Sequence, residues 1–133
     1  MPLTEEQKER IAEFAKRPVL AILSTIYPSG APQTVAVWYD FDGENFIATS
    51  GKNRVKVSNI LRDSRVTLCL IDTTTQGPQF VIRGTAEIID DGAQEATRRL
   101  AIRYLGEETG RQRGDAMTQQ ERIIIKITPE RML

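Results

Sequence analysis

Six runs rich in β-branched and aliphatic residues, each closed by a turn signal, limit what this chain can fold into. They span 19–27, 32–41, 45–49, 65–72, 79–89 and 121–128. Pro28-Ser29-Gly30-Ala31 is a turn signal and Asp42-Gly43 a hairpin dipeptide, so the first three runs are expected to form a meander. Only short helical patterns lie between the runs. Thr4-Glu5-Glu6-Gln7 is a capping box, Ile11, Phe14 and Ala15 share one face over 4–16, and Pro18 stops that helix. Residues 53–62 and 93–105 carry the other two helical patterns, whereas 106–117, rich in glycine and charge, reads as a loop or short helix. Six antiparallel strands are too few for two well-filled sheets, and closure into a barrel removes exposed edges. The expected fold is mainly β: one domain over 1–133, a six-stranded antiparallel barrel with short helices. Runs 32–41 and 79–89 overhang so small a barrel. Together with Trp38 and the aliphatic stretch 123–127 they predict pairing with a second copy, most simply as a C2 homodimer.

Composition excludes several classes of function. A chain of 133 residues can bury a core without disulfides or metal. Lysine plus arginine equals aspartate plus glutamate, 18 of each, so no global positive field recruits nucleic acid. No histidine is present, which removes most acid–base, nucleophilic and metal-ligating constellations. Cys69 is the sole cysteine and lies in a strand-like run, where it reads as a buried small hydrophobe in a reducing compartment. The N-terminal residues do not resemble a signal peptide and no apolar run reaches membrane-spanning length, so a cytoplasmic protein without a membrane partner is expected.

The chemistry concentrates at 49–61. A strand-like run ends in Thr49-Ser50-Gly51, and a helical pattern carrying Lys52, Arg54, Lys56 and Asn59 follows directly. A helix start offers unpaired N–H groups and the positive end of the helix dipole. Hydroxyls before it and cations in its first turn make an anion pocket, most naturally for phosphate. The competing reading is a solvated face, since long cations are mostly exposed. Trp38 and Tyr39 read as core or interface residues, and Tyr27 and Tyr104 carry no distinguishing signal.

The element order and several stretches resemble the split-β-barrel flavin family known from pyridoxamine 5′-phosphate oxidase. The closer likeness is to its short branch of oxidoreductases that use the deazaflavin coenzyme F420. The matching stretches are Leu20-Ala21-Ile22-Leu23-Ser24-Thr25 with the turn at 29–33, Trp38-Tyr39-Asp40-Phe41-Asp42, Arg54 through Asp63, and Arg83-Gly84-Thr85-Ala86-Glu87. The resemblance implies that Arg54 and Lys56 hold the cofactor's phosphate or its oligoglutamate tail, with Thr49, Ser50 and Lys52 in support and Asn59 orienting the pocket. It implies that Gln33, Thr34, Val35 and Ala36 pack against the isoalloxazine-like ring. Pro78 and Gln79 fall near where a second subunit completes the pocket, and proline there replaces an aromatic residue found in some relatives. The implied activity is hydride transfer from reduced F420 to a conjugated small-molecule acceptor such as an enone, quinone or tetrapyrrole. Catalytic side chains are not identified and no metal is implied. FMN on the same barrel, or a non-enzymatic cofactor or tetrapyrrole carrier, are the alternatives; an oligonucleotide-binding barrel would want exposed aromatics among its cations.

Overall fold

The computed structural model describes residues 2–72, 74 and 79–133. Helix α1 (Glu5–Phe14) begins with the expected capping box: the Thr4 side chain accepts from the Gln7 N–H, and the Gln7 side chain accepts from the Thr4 N–H. Seven strands follow, interleaved with three more helices: β1 (Ala21–Ile26), β2 (Pro32–Val37), β3 (Asp40–Phe41), β4 (Phe46–Gly51), α2 (Val55–Arg62), β5 (Arg65–Leu70), β6 (Phe80–Ile89), α3 (Ala93–Leu105), α4 (Glu107–Met117) and β7 (Arg122–Met132). All strands join one antiparallel sheet in the order β2-β1-β5-β6-β7-β4-β3.

That order explains why there are seven strands and not the six expected. The run 32–41 breaks at Trp38-Tyr39: its first part pairs with β1 and its last two residues pair with β4. The two parts therefore occupy opposite edges of the sheet while only two residues separate them in the chain. A flat sheet cannot satisfy that tether, so the sheet curls until its edges approach, giving a split barrel. The meander survives as two hairpins, β1–β2 and β3–β4, which the corner sends in different directions.

Alternation along the strands fills the interior. Leu23, Phe46, Leu68, Leu70, Ile82, Ile123, Ile125 and Ile127 are almost wholly buried there, together with Tyr39 from the corner. Helices α1 and α2 add Ile11, Val57 and Ile60 to the same core. The aliphatic stretch 123–127 thus serves this chain's own core, and the length of β6 is matched by β7 over Ile82↔Met132 to Ile89↔Ile124. Neither feature supplies the overhang from which a second copy was inferred.

Helices α3 and α4 form an outer layer. α3 lies against β4 and β7. The segment 106–117, expected as a loop or short helix, is α4, an ordered helix packed on α3. A Cβ at Gly110 would come within 2.4 Å of the Ile102 Cα, and one at Gly114 within 2.9 Å of the Arg98 Cα. The glycines that weaken helix propensity are what let the two backbones touch.

Candidate functional site

Strand alternation sorts the expected site residues before any ligand is considered. On β4, Thr49 faces outward, whereas Ser50 is buried and donates to the Gly51 carbonyl at 3.0 Å. On β2, Gln33, Val35 and Val37 turn inward, while Thr34 and Ala36 face out. The Ser24 and Thr34 hydroxyls are paired at 3.2 Å on that outer face.

The helix start lies slightly later than the pattern suggested. Arg54 is the N-cap of α2, in extended conformation and without a side-chain cap, and Lys56 stands in the first turn, which contains no acidic residue. The positive end of this helix is therefore uncompensated by the chain itself. A cleft of about 330 Å³ opens beside it, lined by Thr49, Lys56 and Arg122 on one side and by Leu20, Ala36, Val37 and Trp38 on the other, with Arg113 and Met117 of α4 on its rim. It lies at the split, where the β2 edge, the corner and the β4–β7 face converge.

The cations of this cleft repel one another. Burial holds the Lys56 amine below its ordinary value, and Arg54 and Arg122 depress it further. Arg122 is also lowered, by burial and then by Arg54. Its guanidinium is held by hydroxyls: it donates to Thr49 Oγ1 at 3.1 Å and to Thr97 Oγ1 at 3.4 Å. Among the described residues, none of Arg54, Lys56, Arg113 and Arg122 has an ion-pair partner. Clustered charge without counter-charge, part-buried beside a bare helix N-terminus, stores repulsion that an anion would relieve.

Lys52 is oriented differently. It sits 3.7 Å from Asp90 and 3.6 Å from Glu121, in an adjoining cleft with Asn53 and Arg54. Asn59 is buried and forms a hub: its amide donates to Thr25 Oγ1 at 3.0 Å, Thr25 donates to Gln33 Oε1 at 3.0 Å, and Arg62 donates to Asn59 Oδ1 at 3.3 Å. Asn59 thereby ties α2 to β1 and β2, and reaches the cleft only through the placement of the helix. Gln79 is exposed just before β6 and is not among the cleft-lining residues; Pro78 lies outside the described residues. Cys69 is partly exposed on the outer face of β5, and burial raises its thiol. No group of three or more acidic or cysteine side chains suited to a metal exists among the described residues, and no described helix is long and apolar enough to cross a membrane.

Arg122, Arg113, Trp38 and Met117 were not anticipated as site residues. Arg122 reaches the cleft because β4–β7 pairing sets it directly opposite Gly51, and that pairing joins residues about seventy apart in sequence and leaves no local trace.

No curated protein matches the chain. Among solved structures, an F420 reductase superposes with a TM-score of 0.75 at 27% identity, covering 91% of this chain and 94% of that one. A protein of Mycobacterium tuberculosis described as conserved hypothetical gives a TM-score of 0.75 at 29% identity, over 93% of this chain and 81% of that one. General Stress Protein 26 of Bacillus anthracis shares the fold, with a TM-score of 0.67 at 14% identity over 96% and 98% of the two chains. The family model described as Pyridoxamine 5'-phosphate oxidase matches residues 7–133. Since that match runs from within α1 to past the end of β7, the chain belongs to the pyridoxamine 5′-phosphate oxidase family.

Proposed function

We propose that this protein is an oxidoreductase that binds coenzyme F420 in the cleft at the barrel split and reduces a conjugated small molecule, such as an enone, quinone or tetrapyrrole. The observation that carries the reading is the pair Lys56 and Arg122, without ion-pair partners among the described residues and with Arg54 close behind them, facing an apolar wall of Leu20, Ala36, Val37 and Trp38. Such a pairing suits a ligand with an anionic tail and a flat apolar head, which describes both the deazaflavin and FMN. The F420 reductase at 27% identity favours the deazaflavin, and the family match keeps FMN as the second reading.

When bound, the reduced deazaflavin supplies a hydride from a ring carbon. The residues of this chain bind and orient. Lys56, Arg54 and the α2 N-terminus hold phosphate, Arg122 is aimed by Thr49 and Thr97, and Arg113 extends the positive surface toward a longer acidic tail, whereas Lys52 is engaged by Asp90 and Glu121. Leu20, Val37, Trp38 and Met117 exclude water from the ring. The cleft-lining side chains include no carboxylic acid, so the proton that completes reduction comes from solvent or from a nearby hydroxyl such as that of Thr49, which accepts from Arg122 and keeps its own proton to donate. A homodimer with the cleft at its interface belongs to the same reading. Support comes from the outer face of β2-β1-β5-β6, where Ala36, Ile22, Cys69 and Val81 align across four strands and all remain partly or wholly exposed.

Fluorescence titration with F420 and with FMN tests the cofactor. Tighter F420 binding is expected, and preferential FMN binding would overturn the deazaflavin assignment. Lys56→Ala should weaken either by about 1.5–3 kcal/mol, the range for hydrogen bonds to charged groups. If affinity survived both this change and Arg54→Ala, the anion site would be misplaced.

A further inference from the structure

Trp38 sits in the two-residue corner between β2 and β3 and lines the cleft beside Thr49, Lys56 and Arg122. Its indole lies nearly parallel to the Tyr104 ring, with centroids 5.1 Å apart and planes inclined by 12°. Tyr104 is itself immobilised: its hydroxyl donates to the Val19 carbonyl at 2.7 Å and accepts from the Tyr39 N–H at 3.0 Å. The Arg103 guanidinium lies 5.5 Å from the Tyr104 centroid and donates to the carbonyls of Tyr39 and Ala15 at 3.0 and 2.6 Å. The indole is thus backed by a network that joins the end of α1, the approach to β1, the corner and α3. Closing the barrel does not require an indole at this corner; Tyr39, the other corner residue, is the one that fills the core.

We propose that Trp38 is the stacking wall for the flat conjugated ring of the ligand whose anionic end the cations hold, and that Tyr104 is the positioning residue behind it. This rests on the reading of the cleft as a ring-and-phosphate site. An aromatic wall already fixed in place loses little side-chain freedom when a ring docks on it. Stacking is also tolerant of ring identity, because any conjugated ring presents a π-face. The ring could belong to the cofactor or to the acceptor, and the two sources are separable by experiment.

Trp38 is the sole tryptophan, so selective indole excitation reports on this wall alone. The probes are riboflavin and the phosphate-free deazaflavin chromophore (rings without the anion), menadione (an acceptor-type quinone) and inorganic phosphate (the anion without a ring). A phosphate-free ring is expected to quench Trp38 emission, and inorganic phosphate is expected to leave it unchanged while competing with FMN. Quenching by the flavin-type rings assigns the wall to the cofactor; quenching by menadione alone assigns it to the acceptor. Binding to variants is followed by the ligand's own signal. Trp38→Leu should weaken the quenching ring roughly tenfold, as for loss of one stacking platform, and Trp38→Phe should recover most of that loss. Tyr104→Leu should weaken the ring and shift Trp38 emission to the red, whereas Tyr104→Phe, which keeps the stack, should do so less. Inorganic phosphate should compete equally well in every variant. Undiminished ring binding to folded Trp38→Leu overturns the proposal even if phosphate still competes. Failure of phosphate to compete, with ring binding intact and sensitive to Trp38, instead overturns the anion site.

Discussion

At the scale of single residues, the proposed anion site should set stability against binding. Lys56 is protonated against burial and against two neighbouring guanidinium groups, so its charged form is disfavoured in the folded chain relative to the unfolded one. At pH values below both its folded and unfolded pKa, that charge costs stability. As pH rises through the depressed folded value, the folded chain releases the proton first, and stability climbs until the ordinary value of 10.5 is reached. Lys56→Met should therefore raise the melting temperature of the ligand-free protein at neutral pH, by the equivalent of about 0.5 kcal/mol or more, while weakening phosphate binding. Unchanged or lowered stability in thermal unfolding would show that Lys56 is not strained. Asn59 should behave in the opposite sense. Removing its amide strips partners from Thr25 and Arg62, and Asn59→Ala should cost about 1–3 kcal/mol in denaturant unfolding. The sequence placed both residues at the pocket, Lys56 to hold the anion and Asn59 to orient it. It could not show that one faces the cleft and the other the core, because that depends on which side of α2 meets β1.

At the scale of elements, local signals were legible wherever local chemistry decides the outcome. The capping box at Thr4, the Asp42-Gly43 hairpin and the span 93–105 all stand where residue chemistry placed them. The failures share a cause, which is long-range packing. The break at Trp38-Tyr39 is imposed by barrel closure, and nothing in the alternating run announces it. Helix α4 forms from Gly-rich, charged sequence because Gly110 and Gly114 remove the atoms that would hold it away from α3. Arg98 then bonds Asp115 at 2.9 Å across the pair. This packing also shapes the cleft, since α4 carries Arg113 and Met117 to its rim. Gly110→Ala would drive a Cβ against the Ile102 backbone, which cannot yield as a flexible side chain would. The expected cost is about 1–3 kcal/mol of overpacking, read by thermal unfolding. Ligand affinity should fall as well, whereas Arg111→Ala, which removes only a surface pair with Glu107, should change neither.

At the scale of the molecule, the two faces of the barrel are unequal. α3, backed by α4, shields the β4–β7 side. The opposite outer face presents a row running from Ala36 through Ile22 and Cys69 to Val81, and Leu133 bonds to Val81 at its end with 58% of its surface exposed. Ala36 belongs both to this row and to the lining of the cleft, and Leu20, 48% exposed, stands at the same margin. A second copy seated on the row would therefore reach the cleft, so assembly and cofactor binding should be coupled. Dilution should lower F420 or FMN affinity in step with dissociation measured by sedimentation. Ile22→Asp should weaken self-association by about 2 kcal/mol or more, as for a central interface residue, and weaken cofactor binding with it. Cys69 supplies an internal probe: as the sole thiol, within the row, it should alkylate more slowly in the concentrated wild-type protein than in Ile22→Asp. A wild-type protein that stays monomeric at all concentrations yet binds cofactor fully would confine the whole site to one chain, and the row would then need another explanation.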